Sequence, residues 1–277
     1  MYSKVYVEIT NVCNKSCSFC HGHKREPRFM EREEFSFILD KLSGLTKYIY
    51  YHLMGEPLLH PELCDFIGMA TERGYKSILT TNGTLLSERG DELLGAGLHK
   101  VNLSLHSFEE GNGSDHERYV TEVSDFAKKA CKNGTIVVFR LWNKGADGGI
   151  NEETLRLLKK NIDGEWSENA RGIKIRDGIY LEWGDRFEWP DTEADIKGEK
   201  FFCYGLKDQF GILSDGTVVP CCLDSEGAIT LGNIFTQNAD EILGSERARA
   251  IVDGFKHREA SEDLCRRCGY AQRFVKK

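Results

Sequence analysis

Apolar and polar positions along the chain repeat with two different periods, and the change of period predicts strands that alternate with helices. Val5–Ile9 reads as a strand, whereas Glu31–Leu42 places Phe35, Ile38 and Leu39 at helical spacing. The alternation continues to about residue 160. Further strands are predicted at Tyr48–Leu53, Ser77–Thr81, Val101–Leu105 and Thr135–Trp142, and further helices at Pro61–Glu72, Ser87–Leu94, His116–Cys131 and Glu152–Lys160.

Each predicted strand, with the helix after it, occupies roughly 25 to 35 residues, as a βαβ unit requires. Consecutive βα units have parallel strands and right-handed crossovers. Five or six such units curl into a full or partial barrel. Because active sites of such barrels lie at the carboxyl ends of the strands, polar residues that follow strands are the candidate site residues.

Three cysteines come shortly after the first predicted strand. Cys13, Cys17 and Cys20 have the spacing C-x3-C-x2-C, and thiolates at this spacing converge on one centre if the backbone loops around it. Soft thiolates bind iron–sulfur clusters, zinc or copper. Three thiolates leave one iron of a [4Fe-4S] cubane open to a small chelating molecule, whereas a structural zinc site is closed. The spacing alone leaves a zinc knuckle or three buried cysteines as alternatives.

The pattern changes after Phe201. Asp215-Gly216 lies between two apolar runs and predicts a β-hairpin. Cys203 and Cys221 flank this hairpin. A helix is predicted at Asp240–Val252.

The cysteines of this C-terminal region are enough to saturate a second metal centre. Cys203, Cys221, Cys265 and Cys268 supply four thiolates, the last two in a C-x2-C knuckle. A hairpin followed by a knuckle also suits a zinc ribbon, so zinc stays open on the residues alone. The neighbouring Cys222 leaves it open whether Cys221 or Cys222 is the ligand.

Composition narrows the class of protein. Of 277 residues, 40% are hydrophobic, which is enough for a core of one large or two small domains. A net charge of −7 does not favour a duplex nucleic-acid binder. No apolar run approaches the length of a membrane span, and the N-terminus lacks the pattern of a signal peptide. Ten cysteines without an export signal indicate metal ligation in a reducing compartment, so a cytoplasmic location is expected.

The first cysteine motif has an aromatic residue, Phe19, before its last cysteine, and in this form it resembles the radical S-adenosylmethionine (SAM) superfamily. The resemblance implies a [4Fe-4S] cluster on Cys13, Cys17 and Cys20, with SAM chelating the fourth iron. One electron from that cluster then cleaves SAM to methionine and a 5'-deoxyadenosyl radical, which abstracts a hydrogen atom from the substrate. The resemblance also implies an α/β fold, a partial (β/α)6 barrel.

The same resemblance suggests SAM contacts near strand ends. The candidates are Phe19, Gly55, Glu56, Asn82, Ser104 and Arg140. Gly55 and Glu56 belong to a Gly-Glu-Pro sequence that is similar to the family motif for the SAM amino group. Arg140 is the candidate for the SAM carboxylate, because a guanidinium pairs bidentately with a carboxylate. A simple turn at Gly55 and a structural salt bridge at Arg140 are the alternatives.

Candidates for substrate contacts are His106, Glu182 and Asp185. His106 is expected on the same strand face as Ser104, two residues away. The other two lie in Ile179–Pro190, which is both aromatic and acidic and is expected to be a solvated loop with aromatic anchors.

The C-terminal cysteines resemble the twitch subdomain, a half-length SPASM domain with one auxiliary [4Fe-4S] cluster. The resemblance implies Cys203, Cys221, Cys265 and Cys268 as its ligands, with Cys221 chosen by its spacing from Gly216. The expected domains are a radical SAM barrel over residues 1–195 and a twitch subdomain over residues 196–277. A fully ligated cluster has no open iron for substrate, so electron transfer is its expected role.

The expected function is hydrogen abstraction from a small polar substrate that is sugar-, aminocyclitol- or nucleoside/nucleotide-like. The outcome is either oxidation or C–N bond cleavage, such as queuine release. The barrel begins at residue 5, which leaves no room before it for a peptide-recognition domain. Modification of a ribosomal peptide and a non-catalytic zinc or iron–sulfur module are the alternatives. An electron donor such as flavodoxin or ferredoxin is the expected protein partner.

Overall fold

The computed structural model describes residues 1–109, 113–169 and 172–275. Its strands are, in chain order, β1 (Lys4–Val7), β2 (Tyr48–Tyr50), β3 (Lys76–Thr81), β4 (Lys100–Ser104), β5 (Ile136–Lys144), β6 (Ser167–Asn169), β7 (Gly172–Arg176), β8 (Ile179–Asp185), β9 (Gln209–Ile212), β10 (Thr217–Val219) and β11 (Gly232–Asn233). Its α-helices are α1 (Arg32–Lys41), α2 (Leu63–Glu72), α3 (Leu86–Gly95), α4 (Ser114–Lys132), α5 (Ile150–Asn161), α6 (Ala239–Leu243), α7 (Glu246–Lys256) and α8 (Asp263–Arg266).

All these strands join one sheet in the order β11-β10-β9-β1-β2-β3-β4-β5-β8-β7-β6. Within the described ranges, β1, β2, β3, β4, β5 and β8 form a parallel series of six neighbours. The crossovers between them contain α1 to α5 in turn. The predicted partial (β/α)6 barrel is confirmed, and its parallel series is extended at β1 by β9 and at β8 by the antiparallel β7.

The two faces of the sheet have different surroundings. Val5 and Val7 of β1 are fully buried in the main apolar core together with Phe35 and Ile38 of α1. Tyr6, between them, points to the opposite face and belongs to a separate small cluster. Side chains of a strand alternate between its two faces. The odd positions of β1 therefore pack against the helices, and the even positions face the barrel interior.

Two predicted elements were wrong. Ile179–Asp185, expected to be part of a loop, is β8, the sixth parallel strand. The single helix expected at Asp240–Val252 is two helices, because Gly244 ends α6 and the Ser245 side chain caps α7 by accepting a hydrogen bond from Ala248 N.

The C-terminal region continues the barrel sheet. The predicted hairpin is confirmed as β9 and β10, and its Gly216 has a φ of +85°. β9 also pairs in parallel with β1 over four residues, Lys4 to Val7. The domain division at residues 195 and 196 stays a prediction. Among the described residues, no helix is both long and apolar enough to cross a bilayer.

Candidate functional site

The structure brings the three N-terminal cysteines close together at the carboxyl end of β1. Cys20 N donates a hydrogen bond to Cys17 O at 3.0 Å. Burial raises the pKa of Cys17 to about 12, and the charges of Glu109, Cys20 and Cys13 add to this effect. The sulfur of Cys13 also accepts hydrogen bonds from the backbone, as sulfurs of iron–sulfur sites do.

Contacts from distant segments hold this loop, which we call the cluster loop (residues 13–20). The Glu109 carboxylate accepts hydrogen bonds from Ser18 N at 2.5 Å and Ser18 Oγ at 2.6 Å. Arg186 Nη2 donates to Ser18 O at 3.1 Å, and Trp189 Nε1 donates to Phe19 O at 3.0 Å. Sequence reasoning missed Glu109, Arg186 and Trp189 in this role, because such long-range contacts leave no local pattern.

Gly55 lies where the Gly-Glu-Pro loop meets the end of the β1 segment. Its φ is +77°, and a Cβ at this position would lie 2.4 Å from Thr10 O. Glu56 N donates to Val12 O at 2.8 Å, directly before the first cysteine. Glycine is therefore required here by both the backbone conformation and the close approach.

The Glu56 carboxylate is engaged within the protein. It is buried and accepts hydrogen bonds from Leu58 N, Thr81 Oγ1 and Asn82 N at 3.0, 2.7 and 2.8 Å. Burial raises its pKa, and these hydrogen bonds oppose that rise. The carboxylate thus connects the ends of β2 and β3.

Asn82 contacts the cluster loop directly. Its Nδ2 donates to Asn14 Oδ1 at 2.8 Å, and Asn14 Nδ2 donates to Thr84 Oγ1 at 3.0 Å. Asn14 lies between two of the clustered cysteines. The structure therefore gives Asn82 a positioning contact on the loop.

Ser104 and His106 do not share a strand face as expected, because β4 ends at Ser104 and Leu105–Ser107 forms a 3₁₀ turn. Ser104 is half-buried beside Arg140 in the sheet register. His106 stacks on Phe19 with ring centroids 4.8 Å apart, and its Nδ1 lies 3.0 Å from Arg140 O. Burial lowers the pKa of His106 to about 4, so the ring is neutral near pH 7.

A cavity of about 590 Å³ at the barrel mouth is lined by the Phe19 and His106 rings, together with Glu109 and Arg186. This cavity adjoins the cluster loop. Asp185 is exposed and lines neither this cavity, which contains His106, nor the barrel-interior cavity that contains Glu182.

A second cavity, of about 600 Å³, occupies the barrel interior, and we call it the lumen. Its polar lining includes Tyr6, Tyr50, His52, Arg140 and Glu182. Barrels without a ligand fill their interior with branched apolar side chains. The polar lining therefore indicates space for a polar ligand. Of the predicted substrate residues, Glu182 is the one that reaches the lumen.

The four C-terminal cysteines lie together at one side of the lumen: Cys203, Cys221, Cys265 and Cys268. Burial raises the pKa of Cys221 and Cys265, and each of these thiols also responds to the charge of Cys203. The pKa of Cys268 is raised to about 11 by burial, with Cys203 again contributing. Backbone N–H groups donate to the sulfurs of Cys203 and Cys268.

Cys222 lies next to this group, since its charge acts on Cys221 and Cys268. Its thiol forms a hydrogen bond with the Tyr6 hydroxyl, and it lines the lumen. Burial raises its pKa. This hydrogen bond sets Cys222 apart from Cys221, and the choice of Cys221 as the ligand stays a prediction.

Both cysteine groups have the donor chemistry of an iron–sulfur cluster. Soft thiolate donors with N–H···S hydrogen bonds are the donor set that such clusters use.

Comparison with known proteins finds an iron–sulfur domain at each of the two cysteine groups. The sequence model of the radical SAM superfamily matches residues 7–145, and that of the SPASM iron–sulfur cluster-binding domain matches residues 203–269. The chain is 33% identical over 298 residues to a probable GTP 3',8-cyclase of Sulfolobus acidocaldarius, covering 89% of this chain and 91% of that protein. It is 29% identical over 288 residues to a SAM-dependent 2-deoxy-scyllo-inosamine dehydrogenase of Niallia circulans, covering 97% and 93%.

Another relative matches over a shorter stretch. Identity to a probable GTP 3',8-cyclase of Methanocaldococcus jannaschii is 41% over 106 residues, so this match spans 36% of this chain and 35% of that protein.

Solved structures share the fold. BtrN in complex with AdoMet and 2-DOIA superposes with a TM-score of 0.63 at 20% identity, over 97% of this chain and 93% of BtrN. SuiB bound to its precursor peptide SuiA gives 0.61 at 15% identity, over 98% of this chain and 70% of SuiB. From the cysteine groups, the barrel and these matches, we conclude that the chain is an enzyme of the radical SAM superfamily with a C-terminal SPASM-type iron–sulfur domain.

Proposed function

We propose that this enzyme abstracts a hydrogen atom from a small polar molecule bound in the lumen. The observation that carries the proposal is the cavity inside the barrel, which is lined by charged and aromatic side chains, has the auxiliary cysteines at one side and adjoins β1, the strand that leads into the cluster loop. Its volume of about 600 Å³ includes the space that an auxiliary cluster would take beside those cysteines, and the rest is open to a small molecule. The two relatives that align over nearly their whole length are named for a nucleotide and an aminocyclitol, which supports this class of substrate.

The ligand assignments follow the two cysteine groups. Cys13, Cys17 and Cys20 would hold the SAM-binding [4Fe-4S] cluster, and three thiolates leave its fourth iron open for SAM. Cys203, Cys221, Cys265 and Cys268 would saturate an auxiliary cluster. When bound, these groups supply reductive cleavage of SAM and electron transfer.

The chain's own residues contribute binding, orientation and exclusion of water. Glu109 and Asn82 hold the cluster loop at the mouth of the barrel. In the lumen wall, Trp142, Trp183 and Phe187 are aromatic and shield the interior from bulk water. Arg140 and Glu182 offer charged groups that fix the orientation of a polar substrate. We further propose that the electron donor is a small redox protein such as flavodoxin or ferredoxin.

Anaerobic reconstitution tests this function. The protein should bind about eight irons per chain, the count of two cubanes, and should form 5'-deoxyadenosine from SAM with a reductant. The Cys17→Ala variant should bind about four fewer irons per chain and should form no 5'-deoxyadenosine. Cys64→Ala is the matched control, since Cys64 lies in α2 outside both groups and should retain both properties.

The substrate class is tested in the same assay with GTP, nucleosides, aminocyclitols and peptides. A small polar compound should increase the rate at which 5'-deoxyadenosine forms and should acquire or lose a hydrogen atom. Absence of 5'-deoxyadenosine would refute the catalytic proposal, and stimulation by peptides only would refute the substrate class.

A further inference from the structure

The guanidinium of Arg140 lies in the lumen without a hydrogen-bond partner. Its Nε is buried and unpartnered, and the side chain is 17% exposed. The Glu182 carboxylate lies 3.6 Å from this Nε, which is too far for a hydrogen bond. Trp142 packs against the guanidinium with its ring centroid 4.8 Å away. Throughout the described ranges, we find no hydrogen bond that this guanidinium donates.

Such an arrangement is costly unless a ligand completes it. Arginine stays protonated in proteins, although burial here lowers its pKa. A buried cation is normally paired and hydrogen-bonded, because desolvation of an unsatisfied charge is unfavourable. The planar fork of a guanidinium matches two oxygens of one carboxylate or phosphate.

Two further nitrogens of the same wall lack partners. His52 Nδ1 and Trp142 Nε1 are both buried without a hydrogen bond. Burial, and then the charge of Arg140, lowers the pKa of His52 to about 3, so His52 is a neutral ring beside the guanidinium. The side chains of His52 and Trp142 line the same cavity as Arg140, and the two nitrogens themselves are buried in its wall.

Arg140 lines the lumen with Tyr6, Tyr50 and Cys222. Its charge also acts on His106, which stacks on Phe19 of the cluster loop. Arg140 thus has neighbours on both sides, and its expected contact with the SAM carboxylate stays a prediction.

We propose that Arg140, in a lumen wall that it shares with His52 and Trp142, binds an oxyanion of the substrate, so that the substrate carries a carboxylate or a phosphate group. This inference rests on the proposed function, since it names the class of molecule that enters the lumen. Glu182 lies on the neighbouring strand and is able to accept a hydrogen bond from a hydroxyl or amine of the same molecule.

Binding of small probe anions to the reconstituted, reduced protein tests this inference without turnover. Acetate and its neutral isostere acetamide are followed by the methyl ¹H resonance, and inorganic phosphate by ³¹P, at constant ionic strength. A probe in the lumen lies near the paramagnetic auxiliary cluster, so its resonance should broaden in a saturable manner. The resonance of acetate or of phosphate should broaden, and the resonance of acetamide should not.

Arg140→Gln should weaken the binding of the anion at least about tenfold, because a charge-assisted bidentate contact is lost. Arg140→Lys keeps the positive charge but lacks the two-pronged guanidinium. It should weaken the binding of acetate more than the binding of phosphate. Arg176→Gln changes an exposed arginine of β7 and should leave the binding unchanged. Iron content and the circular dichroism spectrum confirm that each variant is folded.

The dissociation constant of SAM separates the two roles of Arg140. It should stay within about twofold in Arg140→Gln. A tenfold loss of SAM affinity, equal broadening of acetate and acetamide, or unchanged anion binding in Arg140→Gln would each overturn the inference. Selective binding of acetate indicates a substrate carboxylate, and selective binding of phosphate indicates a phosphate ester. Failure of the proposed function appears separately, as absence of 5'-deoxyadenosine in the wild-type protein.

Discussion

Glu8 and Arg25 form a buried ion pair in which Arg25 Nη2 donates to Glu8 Oε2 at 2.7 Å. The Glu8 side chain is 0% exposed and that of Arg25 is 14% exposed. The carboxylate also accepts hydrogen bonds from Met54 N at 3.1 Å and from Ser214 N and Oγ at 3.2 and 3.1 Å. Arg25 Nε donates to Ser225 O at 2.7 Å. The pair thus connects the end of β1, the segment after the cluster loop, the Gly-Glu-Pro loop, the turn of the auxiliary hairpin and the segment after β10.

Glu8→Gln should destabilise the protein by about 3 kcal/mol, because it leaves the Arg25 cation buried without its counter-charge. Urea unfolding under anaerobic conditions measures this loss. Glu117→Gln is the control, since Glu117 pairs with Lys160 at the surface, where solvent screening leaves an ion pair with little effect on stability. Equal effects of the two substitutions would contradict the role assigned to Glu8.

Glu109→Gln should make the SAM-binding cluster less stable. The carboxylate holds Ser18 through two short hydrogen bonds, and an amide presents one acceptor oxygen in place of two. We expect iron release to a chelator to be faster by about tenfold, as for other residues that orient metal ligands. Glu88→Gln, on the exposed surface of α3, should release iron at the wild-type rate. If both variants behave alike, Glu109 does not hold the loop.

Cys221→Ala and Cys222→Ala should differ in iron content. Cys221 lies with the other three C-terminal thiols, whereas Cys222 is hydrogen-bonded to Tyr6. The iron content of Cys221→Ala should be about four per chain instead of about eight, and that of Cys222→Ala should stay at about eight. The opposite pattern in an iron assay of reconstituted protein would assign Cys222 as the ligand.

The stability of the protein should depend on pH through His52. Its pKa in the folded state is lowered to about 3, whereas the unfolded chain has a value near 6.5. Below pH 6.5 the unfolded state therefore binds a proton that the folded state does not, and stability falls as the pH falls. At pH 5.5 this loss is about 1.4 kcal/mol.

His52→Gln should remove that contribution to the difference in unfolding free energy between pH 7.5 and pH 5.5. His257→Gln, at an exposed position after α7, should leave the difference unchanged. An unaltered pH dependence in His52→Gln would show that the buried ring does not contribute.

Several features of this protein follow from local sequence. Strand and helix periods over Val5–Ile9 and Glu31–Leu42 depend on neighbours within one or two turns, so the βα series and its parallel sheet were predictable. The two cysteine groups were also visible, because ligand spacing is set by a short stretch of chain. The bounds of β2 and α2 were each overestimated by a few residues, since the polar and proline-containing ends do not continue the regular backbone.

Other features depend on contacts between distant segments. β8 was taken for part of a loop because Glu182 and Gly184 interrupt its apolar pattern, and these positions face a polar lumen and the Trp142 ring. Whether Arg140 meets a carboxylate depends on how β5 and β8 align, which no local signal encodes.

By itself, the sequence determined the type of barrel, the order of its units and the two sets of thiols, because period and spacing act over a few residues. The tertiary structure alone decided that Cys222 turns to Tyr6, that Glu8 joins the two cysteine regions and that Arg140 lies beside Glu182 in the lumen with no hydrogen bond on its buried Nε. Each of these depends on burial and on partners tens to hundreds of residues away. Burial and long-range pairing arise only when the sheet is assembled.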